Sequence, residues 1–236
     1  MAIERDIWRT GASKFVGVQH TSKVNSLNPV LLNMVHSRRP EALLDYGCGD
    51  GQILELIDPV IERAAYDPSP EMLQMLRQRQ LPDIDIFERA SSIPSNHFDL
   101  VILSMVIVCI PTLDVFKELA TCIARVLKPG GTLIAATTHP CFRQYGFSDF
   151  KTSMGHSQPF EYLQDATPFE VSIHDAAEHQ VQFVDYHWTL ATTFRILTEA
   201  GLLVVGLTEI PDDASHPDVN SLVPPYIVFE CRNTPP

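Results

Sequence analysis

Short apolar runs of strand length recur along this chain, most of them separated by segments of helical periodicity. The strand candidates are ALLDY (about 42–46), IERAAY (about 61–66), a short run at 84–87, the apolar run at 99–104, TLIAATT (132–138), LLVVGLTEI (202–210) and YIVFEC (226–231). Helical patterns fall at about 50–57, after Ser69 in PEMLQMLRQRQ, at 112–127 and at 189–200. Parallel strands cannot be joined by a tight turn, so strand and helix in alternation predict a parallel sheet with crossover helices. The 99–104 run is apolar without alternation, as a strand covered on both faces should be. Ser69 suits an N-cap, Pro70 the first helical turn, and Met72, Leu73 and Leu76 form an inward stripe. In LKPGG, Lys128 suits the negative end of a helix, and Gly130 or Gly131 is the expected left-handed stop.

Two stretches break the rhythm. Residues 140–187 are far longer than an ordinary connection and are rich in His, Phe, Tyr and Gln, with VSIHD and VQFVDYHW reading as short strands. This predicts a lid inserted at the carboxyl edge of the sheet, where open α/β sheets bind ligands. The second break is PDDASHPDVNSLVPP, 211–225. The expected organisation is an N-terminal helical cap over 1–40, with a helix after Pro29, an α/β ligand-binding domain over 41–139 and 188–236, and a substrate lid over 140–187.

With 29 acidic residues against 17 Lys and Arg, the formal net charge is −12, which argues against nucleic acid or an anionic membrane as partner. The most apolar run, LVILSMVIVCI, is too short to cross a bilayer, and MAIERDIWRT has no apolar signal core. Five cysteines, none at metal-knuckle spacing, predict free thiols in a reducing, cytoplasmic compartment. His174 and His179 are five apart with no third ligand evident, so no metal is expected.

The stretch LLDYGCGDGQ, residues 43–52, ends the first strand candidate with three glycines and an acid. A nucleoside-triphosphate loop needs a Gly-Lys-Ser/Thr ending, which is missing. A dinucleotide fingerprint needs its third glycine where Gln52 stands. A diphosphate would also face Asp45, a repulsion of about 1 kcal/mol at 4 Å in bulk water and more when partly buried. A ligand with a positive centre and no phosphate suits the acid; alternatively Asp45 caps the following helix.

The run Asp45-x-Gly47-x-Gly49-x-Gly51 after an apolar strand resembles motif I of the class I S-adenosylmethionine-dependent methyltransferases. The likeness continues for about 100 residues, through Asp67 in AAYDPSPEML, FDLVILSMVIVCIP and VLKPGGTLIAA, and is strongest to the small-molecule branch. It implies a Rossmann-like, doubly wound, mostly parallel seven-stranded α/β sheet with the last strand antiparallel and the lid inserted after strand five. It implies S-adenosyl-L-methionine as cofactor, held by Asp45, Gly47, Cys48, Gly49 and Gly51, with Asp67 and Pro68 at the ribose, Ala90 and Ser91 near the adenine, and Ser104 and Met105 at the edge of strand four. One departure is Arg89, where the family often carries an acid that receives the adenine amino group; arginine has no acceptor, so backbone groups of Ala90 and Ser91, or Glu88, are expected to serve instead.

Methyl transfer is an in-line displacement at an already activated carbon, so the protein has mainly to position the acceptor; a base is needed only if the acceptor must lose a proton. The base candidates are His139, just past strand five, and His187, at the far end of the lid, where Tyr186 and Trp188 are candidates for an aromatic wall. The expected function is methyl transfer to O, N or C of a small metabolite. The competing readings are a protein of the same fold that binds the cofactor without transferring methyl, and a nicotinamide-dependent oxidoreductase.

Overall fold

The computed structural model describes residues 21–147, 149–174, 179–212 and 222–234. Residues 1–20 of the expected N-terminal cap and most of the 211–225 excursion lie outside these residues. The chain enters through a π-helical turn, Lys23–Leu27, and α1 (Asn28–Arg38), which carries Pro29 in its first turn. There follow β1 (Ala42–Tyr46), α2 (Gln52–Glu55), β2 (Glu62–Tyr66), α3 (Pro70–Gln78), β3 (Ile84–Phe87), β4 (Phe98–Ser104), α4 (Leu113–Val126) and β5 (Leu127–Thr138). The 140–187 segment contributes β6 (Phe150–Thr152), β7 (Thr167–His174) and β8 (Gln180–His187). The chain closes with α5 (Leu190–Glu199), β9 (Leu202–Ile210) and β10 (Tyr226–Asn233).

Seven strands form one sheet in the order β3-β2-β1-β4-β5-β10-β9, parallel except for β10, which runs antiparallel to both its neighbours. The expected mostly parallel sheet with an antiparallel last strand is therefore the observed one. The chain winds outward from β1 through β2 to β3, then returns to β4 on the other side of β1. The carboxyl ends of β1 and β4 thus flank a topological switch point, the place where such sheets leave a crevice.

Each strand sends alternate side chains to opposite faces, and the two cores follow from that alternation. Leu43, Ile102, Ile134 and Val228 pack with Leu31 and Val35 of α1 and Leu73 and Leu76 of α3. Leu44, Val101, Leu133 and Phe229 pack with Phe116 and Ile123 of α4 and Ile196 of α5. Ser69 caps α3 through the Met72 amide and Thr189 caps α5 through the Thr192 amide.

The expected glycine stop after α4 is not how that helix ends. It ends at Val126, Leu127 is already extended, and Gly130 takes its positive φ of 77° later, inside β5. The reason is remote in sequence: Asn233 Nδ2 donates to the carbonyls of Ala124, Leu127 and Lys128 at 3.0, 3.1 and 3.2 Å, satisfying acceptors that a local left-handed turn would otherwise have to meet.

β6, β7 and β8 form a separate antiparallel sheet in that order. Its buried face carries Phe169, Val171 and Ile173 of β7 opposite Asp185, Phe183 and Val181 of β8. Its apolar members join the core on the α1 side of the main sheet. Among the described residues no helix is long and apolar enough to cross a membrane.

Candidate functional site

Parallel strands point their carboxyl ends the same way, so Asp45 at the end of β1, Asp67 just past β2, Ser104 at the end of β4 and Thr138 at the end of β5 share one edge. The glycine turn follows β1. Gly47 and Cys48 both donate to the carbonyl of Tyr66, at 2.7 and 3.0 Å, which ties the turn to β2. Gly47 has φ of 80°, and an added Cβ would run into Val106 Cγ2. Gly49 has φ of 56°, but a Cβ there would meet only Met72 Sδ, at 3.9 Å. The turn is therefore filled by protein behind Gly47 and left open beside Gly49, where a ligand can approach the backbone.

Asp67 is 9% exposed. Its Oδ2 accepts from the Gly49 amide at 2.9 Å and its Oδ1 from the Ser69 amide at 2.8 Å. Burial raises its pKa and those two amides lower it, with burial the larger effect. Each carboxylate oxygen keeps acceptor capacity for a further donor. Asp45 is 2% exposed and its Oδ1 has no hydrogen-bond partner. Burial lifts it to about 7, Lys23 opposes this and Asp67 adds to it. Cys48 is buried, and burial drives its thiol far up, which makes it inert packing. Asp50, inside the same motif, is ion-paired to Arg79.

The other expected residues are distributed as follows. Pro68 is exposed. Ala90 and Ser91 lie in a single helical turn, Ala90–Ser92, after β3. The Ala90 carbonyl is already taken by Arg125 at 2.9 Å, and Ser91 is exposed. Arg89 is exposed, and Glu88 is paired with Arg77. Ser104 is buried with its Oγ unpartnered, and Met105 adopts a left-handed φ of 62° while donating to the Ala136 carbonyl at 2.8 Å. A bulky residue in that region of backbone space is strained, and such strain concentrates at sites of function.

The two histidines lie elsewhere. His139 Nδ1 accepts from the Cys141 amide at 3.3 Å and its Nε2 meets Glu209 Oε1 at 3.0 Å, so both nitrogens are engaged within the protein. Its pKa is lowered, by burial first and by Arg143 as well, against Glu209, which raises it. His187 is fully buried, with Nε2 against the Tyr162 carbonyl at 2.8 Å and Nδ1 unpartnered, between Phe160 and Tyr162. Neither lines the cavity described next. Trp188 is core: it stands edge-on to Phe116 and donates to the Ile110 carbonyl at 3.0 Å.

A cavity of about 510 Å³, counting space continuous with solvent, lies between the sheet edge and the inner face of β7 and β8. Met105, Val108, Cys109 and Thr138 line it from the sheet side; Phe150, Thr152, Phe169, Val171, Ile173 and Phe183 line it from the insertion. Its charged members are Lys23, Arg143 and Asp185. Sequence reading missed all three. The signal was present for Asp185: the period-two pattern through Val181 and Phe183 places it on the buried face, where an acid needs a reason. Among the described residues no group of three His, Cys, Asp or Glu is placed to hold a metal.

Residues 44–135 match a protein-family model described as a methyltransferase domain. The chain is 32% identical over 104 residues to the chondramide synthase of Chondromyces crocatus, a match covering 40% of this chain and 3% of that protein. It is 27% identical over 155 residues to the malonyl-[acyl-carrier protein] O-methyltransferase of a Paenibacillus species, covering 59% of this chain and 55% of that protein. The chain thus spans about half the length of the second curated relative and a small part of the first. Among solved structures, the N-methyltransferase NodS of Bradyrhizobium japonicum in complex with S-adenosyl-L-homocysteine superposes with a TM-score of 0.57 at 16% identity, covering 88% of this chain and 85% of that one, which is a likeness of fold.

Proposed function

We propose that this chain, whose residues 44–135 match a methyltransferase-domain model, is a class I S-adenosylmethionine-dependent methyltransferase and transfers a methyl group from that cofactor to an O, N or C atom of a small metabolite. The observation that carries the reading is the pair of buried acids Asp45 and Asp67 at adjacent strand ends, one with an unpartnered oxygen, around a turn that is open at Gly49. These residues fit S-adenosylmethionine: a buried carboxylate oxygen without a donor suits a cationic ligand that carries no phosphate, and the opening beside Gly49 admits it to the backbone.

When bound, the cofactor supplies a methyl carbon activated by a positively charged sulfur. The remaining work belongs to the chain. Asp67, oriented by the Gly49 and Ser69 amides, accepts from the ribose hydroxyls. Asp45 offers negative charge at the end of β1 to the cationic part of the ligand. Ala90 and Ser91 flank the adenine, and Ser104 and Met105 stand at the carboxyl edge of β4, where Met105 also lines the acceptor cavity. The insertion walls that cavity with apolar side chains and keeps water from the reacting atoms; positioning of this kind is worth roughly 7–11 kcal/mol of a bimolecular barrier.

The relatives named for methyl transfer support the reaction class; one is named for O-transfer and another for N-transfer, so their names leave the acceptor atom open. The formal charge of −12 favours a small-molecule acceptor over nucleic acid or an anionic membrane. None of the five cysteines forms a disulfide, in keeping with a reducing, cytoplasmic setting. Calorimetry with S-adenosylmethionine and S-adenosylhomocysteine tests the reading. Saturable binding of both by the wild type, weakened in Asp67→Ala, is the expected result; absence of binding by clean, folded protein overturns it.

A further inference from the structure

Two opposite charges face the acceptor cavity without being paired to each other. Arg143 is 4% exposed and Asp185 3%. Both line the cavity. Among the described residues no ion pair within 4.0 Å joins them, although each acts on the other electrostatically. Arg143 Nε and Asp185 Oδ1 are buried with no hydrogen-bond partner. Removing a charge from water is expensive unless something replaces the lost hydration, and two such charges at arm's length leave that need half met.

Both groups are held in place. Arg143 Nη1 donates to Thr138 Oγ1, and the Arg143 carbonyl accepts from Thr152 Oγ1. The guanidinium stands 4.9 Å from the centroid of the Phe169 ring. Phe169 is the cross-strand partner of Asp185, so Arg143 is seated over the pair that Asp185 belongs to. Around this polar spot the cavity wall is hydrocarbon, with Val171, Ile173 and Phe183 continuing along the same face.

A ligand that completes such a site carries an anionic group for the arginine, a cationic group for the aspartate and an apolar body. We propose that Arg143 and Asp185 form the head-group site for the methyl acceptor, and that the acceptor is a free apolar α-amino acid methylated on its nitrogen. The inference rests on the methyl-transfer reading above. The carboxylate is received by Arg143, where a planar guanidinium matches it. The ammonium meets Asp185, and the side chain packs against Phe169, Val171 and Phe183.

An ammonium nitrogen has no lone pair, so one proton must leave before it can react. That proton passes to the Asp185 carboxylate. The freed lone pair forms the new nitrogen–carbon bond as the carbon–sulfur bond breaks, its electron pair remaining on sulfur, which becomes a neutral thioether; the product is an N-methylammonium. Burial supports this role by lifting Asp185 to about 7, closer to the range useful for accepting a proton, although Arg143 pulls it down.

The test uses the full chain with S-adenosylhomocysteine present. Binding of L-phenylalanine and L-leucine is measured by calorimetry beside phenethylamine, which lacks the carboxylate, and 3-phenylpropanoate, which lacks the amine. Methyl transfer from labelled S-adenosylmethionine is followed in parallel. The expected result is binding and N-methylation of an apolar amino acid, with both truncated probes at least tenfold weaker. Arg143→Gln should lose the preference for L-phenylalanine over phenethylamine, and Asp185→Asn should lose turnover by a hundredfold or more, with activity partly restored in Asp185→Glu. The panel on wild-type protein decides the matter even if a variant fails to fold. If S-adenosylhomocysteine binds but no apolar amino acid does, or if either truncated probe binds as well as the amino acid, this inference is overturned and the methyl-transfer reading stands. If S-adenosylhomocysteine itself does not bind, both fall.

Discussion

The backbone amide of Gly49 donates to Asp67 Oδ2 across 2.9 Å, so the acid proposed to hold the ribose also fixes the middle of the glycine turn. Replacing it removes two hydrogen bonds, the second from Ser69, along with the proposed ligand contact. At ~1 kcal/mol per bond, Asp67→Ala should melt roughly 4–8 °C below wild type and bind S-adenosylhomocysteine at least tenfold more weakly. Scanning calorimetry and titration calorimetry read the two effects separately.

The glycines of the turn should respond differently. Gly47→Ala combines a left-handed backbone with a collision against Val106, and should cost about 2–4 kcal/mol in denaturant unfolding. Gly49→Ala meets no such wall and should cost about 1 kcal/mol, through backbone strain alone. Its larger effect should be on cofactor affinity, since its methyl group would stand where the ligand passes.

Stability and cofactor affinity should move in opposite directions with pH. Asp45 and Asp185 both have folded values of about 7 against an ordinary 3.8, raised by burial; Lys23 opposes this at Asp45 and Asp67 adds to it, while Arg143 opposes it at Asp185. A carboxyl group raised in the folded state contributes stability that is fully present below its unfolded value and is lost as pH rises through its folded one. The ligand-free protein should therefore lose melting temperature between about pH 4 and pH 8, with Asp45→Asn flattening part of the slope. A cationic cofactor favours ionised Asp45, so its affinity should rise over the upper part of that window, and binding near pH 6.5 should release protons. Titrations in buffers of different ionisation enthalpy measure that release.

His139 is spoken for at both nitrogens. His139→Asn should leave methyl transfer within about threefold of wild type, whereas a base role for His139 would require a loss of 10²-fold or more. Steady-state kinetics, once an acceptor is in hand, separates the two.

Much of the sheet was legible because its signal is local. Ala42–Tyr46, Ile84–Phe87 and Leu202–Ile210 fall where apolar runs and their punctuation put them. The end of α4 was not, since Asn233, more than a hundred residues away, donates to the carbonyls that a glycine stop would have served. β6 was missed because three residues are too few to show alternation. The glycine turn and Asp67 were visible as a pattern of residue types. Arg143 was not, because its burial arises from Thr138, Thr152 and Phe169, which no spacing rule brings together.

Ser22 offers its amide and hydroxyl to the two oxygens of Asp149, at 2.9 and 2.7 Å, and the same hydroxyl lies 2.6 Å from the Tyr226 hydroxyl. The next residues along, Lys23 and Phe150, line the acceptor cavity. One oxygen atom thus acts as a rivet through three distant stretches of chain, and it sits a single residue away from two side chains of the cavity wall. The shape of this chamber is thus mechanically tied to the Ser22–Lys23 segment as well as to the insertion, so its specificity belongs to several stretches of chain at once.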